Sequence, residues 1–124
     1  MACPHHAYQW ECVSSMNNDY MLVENLPALF EIQPDSIVSR TFFKGERLKS
    51  ILFGFDAGQE LTEHTSSQAA VIQIVQGQAT VTVGEDKHEL GVGSWLHLQP
   101  RVKHSVHANS PLMLLLTMYS SEKE

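Results

Sequence analysis

The sequence predicts a single all-β domain, a sandwich or barrel built from short strands. Three observations lead there. From Ser36 onward, runs of β-branched, aromatic and aliphatic residues recur at short, regular spacing. Glycine-centred turns separate many of them, at Lys44-Gly45-Glu46, Asp56-Ala57-Gly58-Gln59, Gln76-Gly77-Gln78 and Gly84-Glu85-Asp86-Lys87. No segment carries the apolar spacing of a long helix.

Taken in order, Ile37 to Phe43 reads as the first strand and Leu48 to Phe55 as the second. Glu60 to His64 is short and extended, and a Ser/Thr/Gln loop follows at residues 65–68. Ala70 to Gln76 is apolar on both faces, as expected of a strand covered on both sides. Ala79, Val81 and Val83 alternate with Thr80 and Thr82, the period of a half-buried strand. His88 to Leu90, Ser94 to Leu98, Lys103 to Ala108 and Leu112 to Tyr119 complete roughly eight or nine strands.

Upstream, residues 16–36 read as a leader that packs on the barrel or on a partner. Tyr20 to Val23 suits a short strand or turn, Pro27 and Pro34 punctuate the segment, and a brief helical turn fits near Pro27–Phe30. Residues 1–15 show no periodicity and are expected to be a loosely ordered or disordered extension. The barrel itself is assigned to residues 37–120.

Composition narrows the function. At 124 residues the chain is one domain, and 43 % apolar against 18 % charged residues marks it as globular. Eight Lys/Arg against fourteen Asp/Glu leave a net charge of −6, which argues against nucleic acid and anionic membrane as partners. The long apolar run Leu112 to Leu116 has the length of a strand, not of a bilayer span. No basic region followed by an apolar stretch opens the chain, so a cytoplasmic location is expected. Cys3 and Cys12 then read as free thiols. The alternative is a zinc knuckle from Cys3, His5, His6 and Cys12, though the spacing of its cysteines is unlike that of known knuckles.

The glycines and histidines resemble the cupin superfamily, small double-stranded β-helix (jelly-roll) barrels of the RmlC-like, single-domain kind. Gly58, five residues and His64 match the opening of the usual first motif, and Gly77 matches its close. Ser66 stands at its second His position and Ala70 at its Glu position. Gly93 and His104 match the second motif. Gln99 stands at its Pro position, Arg101 at its Gly position and Ala108 at its Asn position. The resemblance covers about residues 37–119 and implies a jelly-roll barrel. It also implies that His64 and His104 project into the barrel mouth and bind a divalent metal, whether zinc, nickel, iron or manganese.

The residues themselves bear on that expectation. On a strand from Lys103 to Ala108, His104 shares its face with Val106 and Ala108, the apolar side. Two imidazoles are fewer than the three protein ligands of a catalytic zinc or the two His and one carboxylate of non-haem iron. Further contacts are sought in Ser66, Gln73 and His97. Strand parity sets Gln73 opposite Ile72 and Ile74, and sets Trp95 and His97 opposite Leu96 and Leu98. Glu60 shares a face with His64 by the same parity but lies about 13 Å along the strand. His107 falls on the face opposite His104, and His88 is expected to be exposed. Ile72, Ile74 and Met118 are the candidate pocket lining.

Two functions are therefore expected: a small-molecule-binding cupin with a weak divalent-metal site, or a metal-dependent cupin enzyme of the dioxygenase, isomerase or lyase kind. A small-molecule ligand is the expected partner. Homodimer formation is expected as well, because Ala69–Gln76 and Leu112–Met118 are apolar on both faces and Trp95 leans outward.

Overall fold

The computed structural model describes residues 13–16 and 19–120, and the chain forms two compact units, residues 1–31 and 32–124. In the first unit, β1 (Val13–Met16) pairs antiparallel with β2 (Met21–Val23). The extension expected over residues 1–15 lies mostly outside the described residues, and its last three residues fall in β1. A four-residue strand offers too few alternations for a period of two to stand out. A single 3-10 turn follows at Leu26–Leu29. Pro27 sits in its first turn, where a missing N–H costs no hydrogen bond. Leu29 is fully buried.

The second unit is a pair of antiparallel sheets. Its strands are β3 (Ile37–Lys44), β4 (Leu48–Phe55), β5 (Glu60–His64), β6 (Ala69–Gln76), β7 (Ala79–Val83), β8 (Asp86–Leu90), β9 (Trp95–Leu98), β10 (His104–Ala108) and β11 (Leu112–Tyr119). One sheet runs β5-β10-β7-β8 and the other β3-β4-β11-β6-β9. Every pairing is antiparallel. This is the expected jelly roll, and each expected strand is present to within two residues at its ends.

Alternation explains how the sheets meet. Val81 and Val106 from the four-stranded sheet pack with Phe55, Ile72, Leu112 and Leu114 from the five-stranded one. Full burial of each large side chain contributes about 1.5–3 kcal/mol. On β4 and β11, alternate residues point the other way, yet Leu52 and Met113 are also buried. Both faces of these strands are therefore covered in places, as the two-sided apolar pattern of β11 predicts.

Turn chemistry fixes the corners. Gly77 has φ +85, and a Cβ there would overlap the Pro111 carbonyl oxygen, so no other residue fits without backbone movement. Arg101, at the Gly position of the second motif, is itself left-handed with φ 68. Its N–H donates to the Ser66 carbonyl at 2.7 Å, which ties the β9–β10 loop to the β5–β6 loop. Among the described residues no helix is long and apolar enough to cross a membrane.

Candidate functional site

β10 lies between β5 and β7, and its first residue, His104, sits opposite His64 on one side and Val83 on the other. The two imidazoles are close, with ring centroids 4.2 Å apart and planes inclined at 57°. His104 is 8 % exposed, whereas His64 reaches solvent. A buried ring beside an exposed one places the pair where the core opens to water.

A bulge produces this juxtaposition. His104 pairs with His64, but Val106 pairs with Leu61, so β5 uses one residue more than β10 over the same stretch. The extra residue reverses the side-chain alternation of β5. Leu61 packs against the core, and Glu60 falls opposite the outward-facing His107. Simple parity puts Glu60 on the face of His64. The bulge corrects that and removes Glu60 as a partner for the pair.

Hydrogen bonds then fix which nitrogen is free. His64 Nδ1 lies 2.8 Å from the Thr62 carbonyl oxygen, and His104 Nδ1 lies 2.9 Å from that of Val102. A carbonyl only accepts, so each Nδ1 carries the hydrogen and donates it. In the neutral ring each Nε2 is then left with its lone pair. Carbonyl-anchored imidazoles of this kind are the form in which histidine binds a metal. Burial pushes the pKa of His104 below the ordinary histidine value. The Val102 hydrogen bond opposes the shift, and the charge of His64 adds a smaller lowering. His104 is thereby kept in the neutral form that a ligand or metal requires.

The other candidates are placed as follows. Ser66 Oγ accepts the Gln68 N–H at 3.1 Å and so shapes its own loop. Gln73 pairs with Trp95 and Leu115 on the face opposite Ile72 and Ile74. His97 Nε2 and the Tyr119 hydroxyl are 2.6 Å apart, beside Trp95, which is 62 % exposed. Ile72 and Ile74 are core residues, and Met118 is half-buried at the Ala70 end of β11. His88 is exposed. Cys3, His5, His6 and Cys12 lie outside the described residues. Among the described residues, no group of three or more His, Cys, Asp or Glu side chains is placed to hold a metal. The donor set at the pair is two imidazoles.

Sequence reasoning missed a second polar cluster. On the outer face of the four-stranded sheet, His107 Nδ1 lies 3.0 Å from Asn109 Oδ1. Asn109 Nδ2 in turn donates to Thr80 Oγ1 and Glu89 Oε1. Parity exposed His107, but the register across β10, β7 and β8 that joins these residues has no signal in one sequence.

Two facing antiparallel sheets with a histidine pair at the edge of their core define a jelly-roll barrel. The family model described as "Cupin domain" matches residues 51–118. The chain belongs to the cupin domain family. No curated protein matches it. Among solved structures it is similar to a cupin superfamily protein from Desulfitobacterium hafniense DCB-2, at 20 % identity over 76 % of this chain and 86 % of that one, with a TM-score of 0.72. It is also similar to a conserved protein of unknown function from Streptococcus pyogenes, at 23 % identity over 90 % and 96 %, with a TM-score of 0.75. A third is a mutant of the salicylate 1,2-dioxygenase from Pseudoaminobacter salicylatoxidans, solved in complex with gentisate. There the identity is 16 % over 67 % of this chain and 25 % of that one, with a TM-score of 0.64. At such identities these likenesses establish the fold alone.

Proposed function

We propose that this cupin binds a small molecule at the His64–His104 pair, with a divalent metal held weakly between protein and ligand. The observation that carries the reading is the pair of free Nε2 lone pairs on rings 4.2 Å apart. The pair itself presents lone pairs and no free N–H, so it suits a cation or a hydrogen-bond donor. Zinc, nickel, iron and manganese all accept imidazole nitrogen. His64 and His104 would hold the metal, which when bound supplies a Lewis acid that polarises a ligand oxygen. The chain's own residues do the rest. Thr62 and Val102 fix the ring orientations, and the apolar core behind His104 withholds water on one side. With two protein donors rather than three, the metal is held loosely. That count favours a binding protein over the alternative, a metal-dependent enzyme. The dioxygenase structure in complex with gentisate supports the general idea of a small-molecule occupant.

Titration of the tag-free protein with zinc by calorimetry tests this reading. The expected result is one weak site per chain, lost in both His64→Ala and His104→Ala. Equal binding by wild type and His104→Ala overturns it.

A further inference from the structure

The outer face of the four-stranded sheet carries a second set of aligned polar groups. Register sets Glu60, His107, Thr80 and Glu89 in one row across β5, β10, β7 and β8. Ser105, Thr82 and Lys87 form the neighbouring row on β10, β7 and β8. Together Glu60, Thr80, Thr82, Lys87, Ser105 and His107 line a depression of about 270 Å³. It lies on the opposite side of β10 from His104, which points to the core.

Hydrogen bonding orders the first row from Glu89 inward. Thr80 Oγ1 donates to Glu89 Oε1 at 2.7 Å. Asn109 Nδ2 donates to both, at 2.9 Å to Thr80 Oγ1 and 3.2 Å to Glu89 Oε1. The amide is thereby oriented, and its Oδ1 faces His107 Nδ1. Because that oxygen only accepts, Nδ1 carries the hydrogen, and in the neutral ring His107 Nε2 keeps a lone pair. The row therefore offers acceptors, the Nε2 of His107 and the carboxylate of Glu60. The second row offers donors, the Lys87 ammonium and the hydroxyls of Thr82 and Ser105. Ser105 and His107 are two residues apart on one strand, so the rows stand roughly 7 Å apart.

A ligand matching both rows needs several donors at one end and acceptors at the other. With hydrogen bonds of about 2.9 Å slanting in from either row, the separation suits the roughly 3 Å between the ammonium and the carboxylate of an α-amino acid. We propose that this depression is a second binding site, for a small zwitterion of the α-amino-acid class. Its ammonium group sits on Glu60 and His107 Nε2, and its carboxylate sits on Lys87, Thr82 and Ser105. The site is independent of the His64–His104 pair.

Titration of the full chain with L-alanine, followed by amide NMR, tests the assignment. Isobutyrate, which lacks the ammonium, and isopropylamine, which lacks the carboxylate, serve as controls. The expected result is saturable shifts confined to β5, β7, β8 and β10. Both controls, and both the Glu60→Gln and Lys87→Met variants, bind about tenfold more weakly or worse. His104→Ala binds L-alanine as wild type does, even if zinc binding at the pair fails. Absence of saturable shifts at millimolar L-alanine overturns the proposal, as does equal binding of either control or loss of binding in His104→Ala.

Discussion

His64 and His104 meet because β5 carries one residue more than β10 between their paired positions, and that bulge turns the exposed ring of His64 toward the buried ring of His104. The carbonyls of Thr62 and Val102 then orient both rings in the same sense, with Nε2 free on each. The metal binding proposed above rests on that pairing.

The buried ring makes stability depend on pH. The folded-state pKa of His104 is lowered from the ordinary value of 6.5, chiefly by burial. Between the lowered and the ordinary value, the unfolded chain binds more protons than the folded one. Stability from this residue is therefore complete above the ordinary value and is lost as pH falls below it. Urea midpoints measured from neutral to mildly acid pH should fall further for wild type than for His104→Gln. Equal falls would remove His104 as the cause.

Gly77 holds a corner that no side chain can occupy. Gly77→Ala combines a left-handed backbone with overlap on the Pro111 carbonyl. We expect a loss of about 3 kcal/mol, read as a lowered denaturant midpoint at unchanged slope. Gly58 also has positive φ, but nothing lies within 4 Å of a Cβ there. Gly58→Ala should lose roughly 1 kcal/mol, the backbone contribution alone.

Arg101 presents the opposite case. It holds φ 68 without being glycine, and its N–H bond to Ser66 survives any substitution but proline. Arg101→Gly relieves left-handed strain of about 1–2 kcal/mol and adds chain entropy to the unfolded state of about 0.5–1 kcal/mol. A net gain of about 0.5–1 kcal/mol in urea unfolding is expected. A destabilised variant would mean that the arginine side chain contributes more than its backbone strain costs.

Much of this fold is legible in the sequence because strands advertise themselves twice. Alternation marks Ala79–Val83, and the glycines at 77 and 84 mark where that strand starts and stops. Parity also separates Leu96 and Leu98, in the core, from Trp95 and His97, outside it. The histidine pair is legible through motif spacing. The bulge is not, because one extra residue in β5 leaves its composition unchanged, and so Glu60 is misplaced by parity. Val13–Met16 is too short to show a period. The Glu89–Thr80–Asn109–His107 chain depends on register between strands, which hydrogen bonds between partners fix and local sequence does not.

We expect a homodimer in solution. Trp95 is 62 % exposed on the edge strand β9, beside His97 and Tyr119, an aromatic row on the outer face of the five-stranded sheet. A twofold partner covering this row would form an isologous interface. Light scattering at micromolar concentration should give about twice the chain mass, shifting toward one chain mass in Trp95→Ser. A single-chain mass for wild type would refute it.

That His64 and His104 together present two free Nε2 atoms is tested most directly by long-range proton–nitrogen NMR of the imidazoles at neutral pH, without and with zinc. Nδ1–H tautomers are expected for both rings. On adding zinc, both Nε2 resonances should shift together, with neither moving in the variant that lacks its neighbour. An Nε2–H tautomer on either ring, or zinc shifting one Nε2 while the other stays still, would contradict the pairing.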